Sequence, residues 1–352
     1  IDERPTDDEI SGYGKGRDSR GKVYGYTPEG KEIRLYRSSE RFEPEINLPD
    51  GIRESELSFG RFLRAAYSGE WSQAQAERRV MSSTTGADGG VLAPFVIGKN
   101  IIEAARVKAR VIRAGAMTFK MEAPQVTFAR IDGYPSMTWT EEGEEIAESD
   151  LTFQPLHFKA AKLASIVRAP EELIMDATNL DQLVKEALSS QMAIALDRSA
   201  LYGAGVEEPL GLLTSSDIGS TTVSSAPAAS AVLGHLIDAE FELLDQNLDP
   251  TEISMLYNST FGKTFAKATD AASHFLGGSN TPVDFAQVGK FMTNQIDDTD
   301  TSTPVLFGRF SDLMIGVRMD VRIDMSKEEG DSFKKDLVAI RVIWRGDAMP
   351  VI

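Results

Sequence analysis

Six carboxylates crowd residues 141–150, EEGEEIAESD, the densest group of side chains in the chain able to do chemistry. Paired carboxylates can act as general acid and base or hold a cation, but acid–base work requires one of them to sit in apolar surroundings that raise its pKa. Nothing apolar encloses this stretch. It reads as a hairpin tip that would repel itself against a like surface, so it faces solvent or a basic patch on another chain. An acidic, metal-assisted hydrolase built on these carboxylates stands as the alternative of another class.

The remaining candidates are weaker. His157, His235 and His274 are scattered, with no HExxH spacing or other metal-ligand pattern, and read as surface or packed histidines. The run YGAGVEEPLG at 202–211 lacks the GK[ST] of a Walker loop. It closes a helix, whereas a dinucleotide fingerprint opens one, so its glycines read as a helix stop and turn. DDTDTST at 297–303 lacks the glycine and the bidentate glutamate of an EF-hand loop. There is no G-x-S-x-G elbow. With no cysteine in the chain, disulfides, thiolate nucleophiles and cysteine metal sites are all removed. No catalytic, cofactor-binding or metal-ligating residue is assigned, and no cofactor is expected.

The elements that carry these residues describe an unusual architecture. A chain of 352 residues, 41% hydrophobic and 26% charged, can bury a sizeable core. No run of about 18 apolar residues predicts a membrane span, and the polar start IDERPTDDEI is no signal peptide. The chain begins at Ile1, for which proteolytic maturation is one explanation among several. The net charge of −17 argues against a surface that gains affinity by neutralising phosphates.

Residues 1 to about 55 read as an arm without its own core, with a hairpin-like segment at KVYGYTPEGKEIRLYR. A short helix follows, with Leu57, Phe59, Phe62, Leu63 and Ala66 near helical spacing and a stop at Gly69. SSTTGADGGVLAPFV is a flexible joint, and a docking segment runs from Ile97 to Val111. Period-two patterning from Met117 to Arg168 (Val126 and Phe128, Met137 and Trp139, Leu151 and Phe153) predicts an extended hairpin ending in the acidic tip.

The strongest helix spans Asn179 to Tyr202, with Asn179 as N-cap and Gly203 as left-handed C-cap. Leu180, Leu183, Val184, Ala187, Leu188, Ile194 and Ala195 line its apolar face. Residues 215–310 read as an inserted α/β lobe with buried strands at ISMLY and PVLFGRF. After it, Val317 to Met325 and Val338 to Trp344 alternate as an antiparallel hairpin with one buried face. A long two-stranded projection is marginal alone in water, so it should rest on neighbouring subunits.

From SDLTF through RAPEELIMDATNLDQLV to YGAGVEEPLGLL, the order of parts resembles the major capsid proteins of tailed bacteriophages with the Hong Kong 97 fold. The resemblance covers roughly residues 88–213 and 311–350. It implies an α+β capsid fold with an N-terminal arm (1–96), a segment leading into the peripheral domain (97–116), an extended hairpin loop (117–157), a peripheral domain with a spine helix (158–214), an inserted axial domain (215–310) and a C-terminal peripheral hairpin (311–352).

The function implied is an icosahedral shell of hexamers and pentamers enclosing double-stranded DNA, with a portal, a scaffolding protein or maturation protease, and cement proteins as partners. The shell would be a virion capsid assembled in the host cytoplasm. An encapsulin-like compartment is the runner-up in the same structural class. The candidate intersubunit contacts are Glu141, Glu142, Glu144, Glu145 and Trp139 of the tip, with Phe59, Phe62 and Arg64 of the arm helix. One branch of the family crosslinks its subunits through a lysine, an asparagine and a glutamate. The aligned positions here are Ile146, Asp336 and Ile343, so no self-crosslinking by that route is expected.

Overall fold

The computed structural model describes residues 22–26, 32–40, 52–53, 57–83, 95–133, 135–140, 143–145, 148–176, 180–216, 218–220, 229–266, 288–297, 304–318, 321–326, 329–330 and 333–351. Strands β1 (Lys22–Tyr26) and β2 (Glu32–Tyr36) pair as a hairpin. Helix α1 (Phe59–Ser68) forms where the sequence signals it. Ser58 Oγ accepts from the Arg61 amide, and Gly69, at φ 77°, returns its N–H to Ala65 O. Helices α2 (Gln75–Ser83), α3 (Phe95–Lys108) and α4 (Arg110–Arg113) follow.

The central sheet is seven-stranded among the described residues. Its order is β1, β2, β3 (Met117–Lys120), β10 (Leu313–Val317), β12 (Leu337–Pro350) and β11 (Arg322–Ser326), with β6 (Ala161–Pro170) also paired to β12. Along β12, Val338, Ile340 and Trp344 are buried at period two, which makes one face of this strand the floor of the core. Residues 339–343 pair with β11 and with β6 at once, so those two strands flank β12 on opposite edges.

Two expectations are corrected here. Met117–Lys120 does not open the projecting hairpin; it pairs in parallel with β10, and Thr118 and Phe119, pointing to opposite faces, are both fully buried as a central strand requires. The alternating run 317–325 is likewise two strands, β10 and β11, each paired to a different stretch of β12.

The projecting hairpin is β4 (Gln125–Gly133) against β5 (Thr152–Lys159). After β6 and the short α5 (Glu171–Asp176) comes the long α6 (Leu180–Tyr202). Its proposed N-cap, Asn179, lies outside the described residues. The buried face of α6 is Met192, Ala193, Leu196, Ala200 and Leu201 with Ser189 and Asp197, whereas Leu183, Ala187 and Ile194 of the expected face are exposed. Full burial begins at Ser189, while Val184 and Leu188 nearer the start are only partly covered by the core.

Gly203 is not left-handed; the positive φ falls at Gly205. What Gly203 supplies is space, since a Cβ there would lie 1.9 Å from Pro209 O and 2.6 Å from Ser199 O. The chain turns back hard against the helix end, where the amides of Gly211, Leu212 and Leu213 donate to Gly203 O, Ala200 O and Leu201 O, carbonyls that a helix terminus leaves without partners.

The 229–308 region carries its own small core of Leu236, Ile253, Met255 and Val288, formed by α7 (Ala229–Leu244), α8 (Ser259–Ala266) and a three-stranded sheet. β7 (Ser254–Tyr257) is central, parallel to β8 (Gly289–Met292) and antiparallel to β9 (Leu306–Gly308).

Candidate assembly surface

The hairpin is rooted in a cluster of aromatic rings. Phe119, Phe128 and Phe158 meet edge to face with centroids 5.0–5.6 Å apart, and Tyr24 of β1 closes on Phe128 at 5.5 Å. Where β5 ends, Asp347 of β12 accepts the Lys159 amide at 2.7 Å and the Ala348 amide at 2.9 Å, and burial pushes its carboxyl up to about 6. Further out the same strands lose their cover. Phe153 is 60% exposed, and beyond the strand ends Met137 and Trp139 are as exposed as free side chains, at 96% and 106%.

A thin two-stranded projection that ends in an uncovered tryptophan and methionine marks an interaction surface. Ser149 Oγ reaches Ser136 O across the tip at 3.3 Å, so the two sides stay together beyond the regular ladder. At the apex Gly143 adopts φ 94°, the left-handed turn that only glycine enters freely.

Glu144 and Glu145 are exposed at this tip, and Glu141 and Glu142 lie outside the described residues. The arm-helix candidates sit elsewhere. Phe59 and Phe62 are 3% and 1% exposed and belong to the main core with Leu63, Ile102 and Leu201, because α1 turns its apolar stripe inward onto α6 and α5. They are not available to another subunit in this conformation. Arg64 is half-buried and donates its Nε to Ile174 O at 3.1 Å, which ties α1 to α5. Sequence reasoning expected all three at a contact. The structure uses them to hold the chain's own N-terminal region down.

Three charged residues that sequence reading missed are the polar anchors of the body. Arg106 on α3 is 1% exposed; it donates to Thr118 Oγ1 at 2.6 Å and to the carbonyls of Arg37 and Glu40 at 3.1 and 3.2 Å, and pairs with Glu103. It fixes the segment after β2 against the sheet. Asp197 on α6 accepts the amides of Arg110 and Val111 at 2.8 and 3.0 Å, covering two orphan donors at the start of α4, and burial pushes its carboxyl up to about 6. Asp347 is the third. For Asp197 the signal was a charged pair within the otherwise apolar stretch AIALDRSAL, which a periodicity count passes over.

The lobe meets the body at a cleft of about 290 Å³ between α6 and the 292–295 segment. Beside it Arg198 of α6 forms a two-pronged pair with Asp297 at 2.6 and 2.7 Å and stacks 4.3 Å over Tyr202, whose hydroxyl accepts the Asp297 amide. His157 contacts Thr127 and His235 faces Asp238; His274 lies outside the described residues. Among the described residues no three His, Cys, Asp or Glu side chains are grouped to hold a metal, and no helix is long and apolar enough to cross a membrane.

This arrangement of hairpin, long helix, sheet and lobe is that of the Hong Kong 97-type capsid chains. The chain superposes on the capsid chain of a native GTA particle with a TM-score of 0.54, at 17% identity, over 80% of this chain and 95% of that one. On the structure from Microbacterium phage Oxtober96 the TM-score is 0.50, at 18% identity, over 69% and 85% of the two chains. At such identities the likeness is one of fold.

The family follows from the sequence itself: residues 89–352 match the phage capsid family, and the chain belongs to it. It is 23% identical over 296 residues to the major capsid protein of Klebsiella oxytoca phage phiKO2, a match covering 75% of this chain and 66% of that protein's length.

Proposed function

We propose that the chain is the major capsid protein of a tailed phage or phage-like particle, and that many copies close into an icosahedral shell around double-stranded DNA. The observation that carries this reading is the hairpin that leaves the core of a phage capsid family chain with Met137 and Trp139 uncovered. In a shell, those side chains are buried by a neighbour. The net charge of −17 suits a wall that holds DNA without gripping it. In this reading the 215–310 lobe gathers hexamers and pentamers about their axes, the hairpin and arm link subunits, and portal, scaffolding or maturation protease and cement proteins act on the assembled shell. The chain's role is structural, and its place is the virion capsid.

Negative-stain electron microscopy with light scattering on the purified protein tests it. Closed particles tens of nanometres across are the expected result. Trp139→Ala should reduce their yield without changing the melting of the unassembled chain, since the ring makes almost no contact within its own subunit. A chain that stays monomeric or dimeric, even with a candidate scaffold supplied, overturns the reading.

A further inference from the structure

The projecting hairpin holds a thioether out into solvent. The chain has 12 methionines and no cysteine, so all of its sulfur is thioether sulfur. The described methionines differ widely in access. Met121, Met255 and Met314 are 2–5% exposed, inside the cores, and Met175 and Met292 are 44% and 50% exposed. Met137 stands at 96%. An oxidant must reach the sulfur from solvent, so access ranks these side chains by reactivity, and with no thiol in the chain to compete, methionine is what a mild peroxide attacks first.

The position of this sulfur gives its oxidation a consequence. Met137 and Trp139 are the two most exposed large apolar side chains described, and they stand together at the end of the projection. Oxidation turns a flexible apolar side chain into a polar one, which is harmless in water and costly where the side chain has to be buried.

We propose that Met137 is a redox modification site, at which a peroxide-class oxidant converts the thioether of the unassembled subunit to the sulfoxide and so blocks assembly. This rests on the shell reading, in which a neighbour covers the tip, and adds a chemical control over it. The sulfur gives up two electrons and takes one oxygen of the peroxide as the O–O bond breaks. The other oxygen leaves as water, and the protein loses no atom. A thiol-driven sulfoxide reductase reverses the step: the sulfoxide oxygen leaves as water while two thiols become a disulfide. Inside a closed shell the sulfur is covered and the step no longer takes place.

Brief treatment of unassembled subunits with hydrogen peroxide, read by peptide mass spectrometry and by light scattering, tests it. Met137 should gain its oxygen ahead of Met175 and Met292, and the oxidised subunits should assemble about tenfold more slowly, the order expected from burying one unpaired polar group. Their melting should stay unchanged, because this side chain makes almost no contact within its own subunit. Methionine sulfoxide reductase with dithiothreitol should restore assembly, and Met137→Leu should assemble like wild type before and after peroxide. In finished particles Met137 should oxidise about tenfold more slowly than in free subunits. Oxidised subunits that assemble at the untreated rate, Met137→Leu subunits that lose assembly to peroxide as wild type does, or a Met137 that oxidises as fast in particles as outside them would each overturn the inference. Absence of particles from untreated wild type would instead strike the shell reading itself.

Discussion

Residue by residue, the interior decides more than the surface. Phe62 is 1% exposed against Phe59 and Trp71, so Phe62→Ala should cost the unassembled subunit about 3–5 kcal/mol in chemical denaturation. Unchanged stability with lost assembly would return Phe62 to an interface.

Asp197 makes a prediction about pH. Desolvation is the largest influence on it, outweighing the two amides that favour its charge, and its folded pKa of about 6 stands above the ~3.9 of an unfolded aspartate. The folded chain therefore holds the proton more tightly. This group's stabilising contribution is complete below pH ~4 and is lost as pH rises through about 6. Between those limits it should tilt the wild-type unfolding free energy downward with rising pH by up to ~1.4 kcal/mol per pH unit relative to Asp197→Asn. Equal slopes in the two proteins would show that the carboxyl titrates normally.

Among the elements, the end of α6 is set by crowding. A Cβ on Gly203 would overlap Pro209 O, and one on Gly211 would fall 2.5 Å from the Gly203 nitrogen. Gly203→Ala should therefore destabilise by about 1–3 kcal/mol in thermal unfolding, and Gly211→Ala comparably, whereas Gly219→Ala, with open space around it, should change little. If Gly203→Ala melts like wild type, the turn back along the helix is looser than described. Helix α6 also explains why its face was misread. It presents Leu183 near its start and Ile194 further along outward, and apolar spacing alone cannot tell a residue packed by its own chain from one that another chain must cover.

For the whole molecule, the lobe is joined to the body both by apolar residues of the main core, Leu256 and Ile296 among them, and by exposed polar contacts. Arg198 and Asp297 are each about half exposed, so Arg198→Ala should leave global stability within ~1 kcal/mol while hydrogen exchange at residues 293–297 speeds up. Protection unchanged in that loop would mean that packing, not the ion pair, holds the lobe. The region ahead of the family match behaves differently. Ile33, Tyr36, Phe59 and Phe62 are all buried among residues within that match, so β2 and α1 are folded into the body rather than hung from it. The sequence reading of an arm without its own core did not foresee that these described elements complete the core of the body.

Several local signals held, although the left-handed cap expected at Gly203 did not. The helix stop at Gly69, the alternation of β12 and the strands of the lobe were legible because period and cap chemistry act over a few residues. The hairpin and the order of parts around it were legible too, and with them the family. Tertiary structure alone decided which side chains belong to the core and which remain for a partner. Phe62 and Trp139 look alike as aromatic residues beside polar ones, and only long-range packing buries the first and strands the second. The same holds for Arg106, Asp197 and Asp347, whose partners lie 12 or more residues away for the contacts that matter.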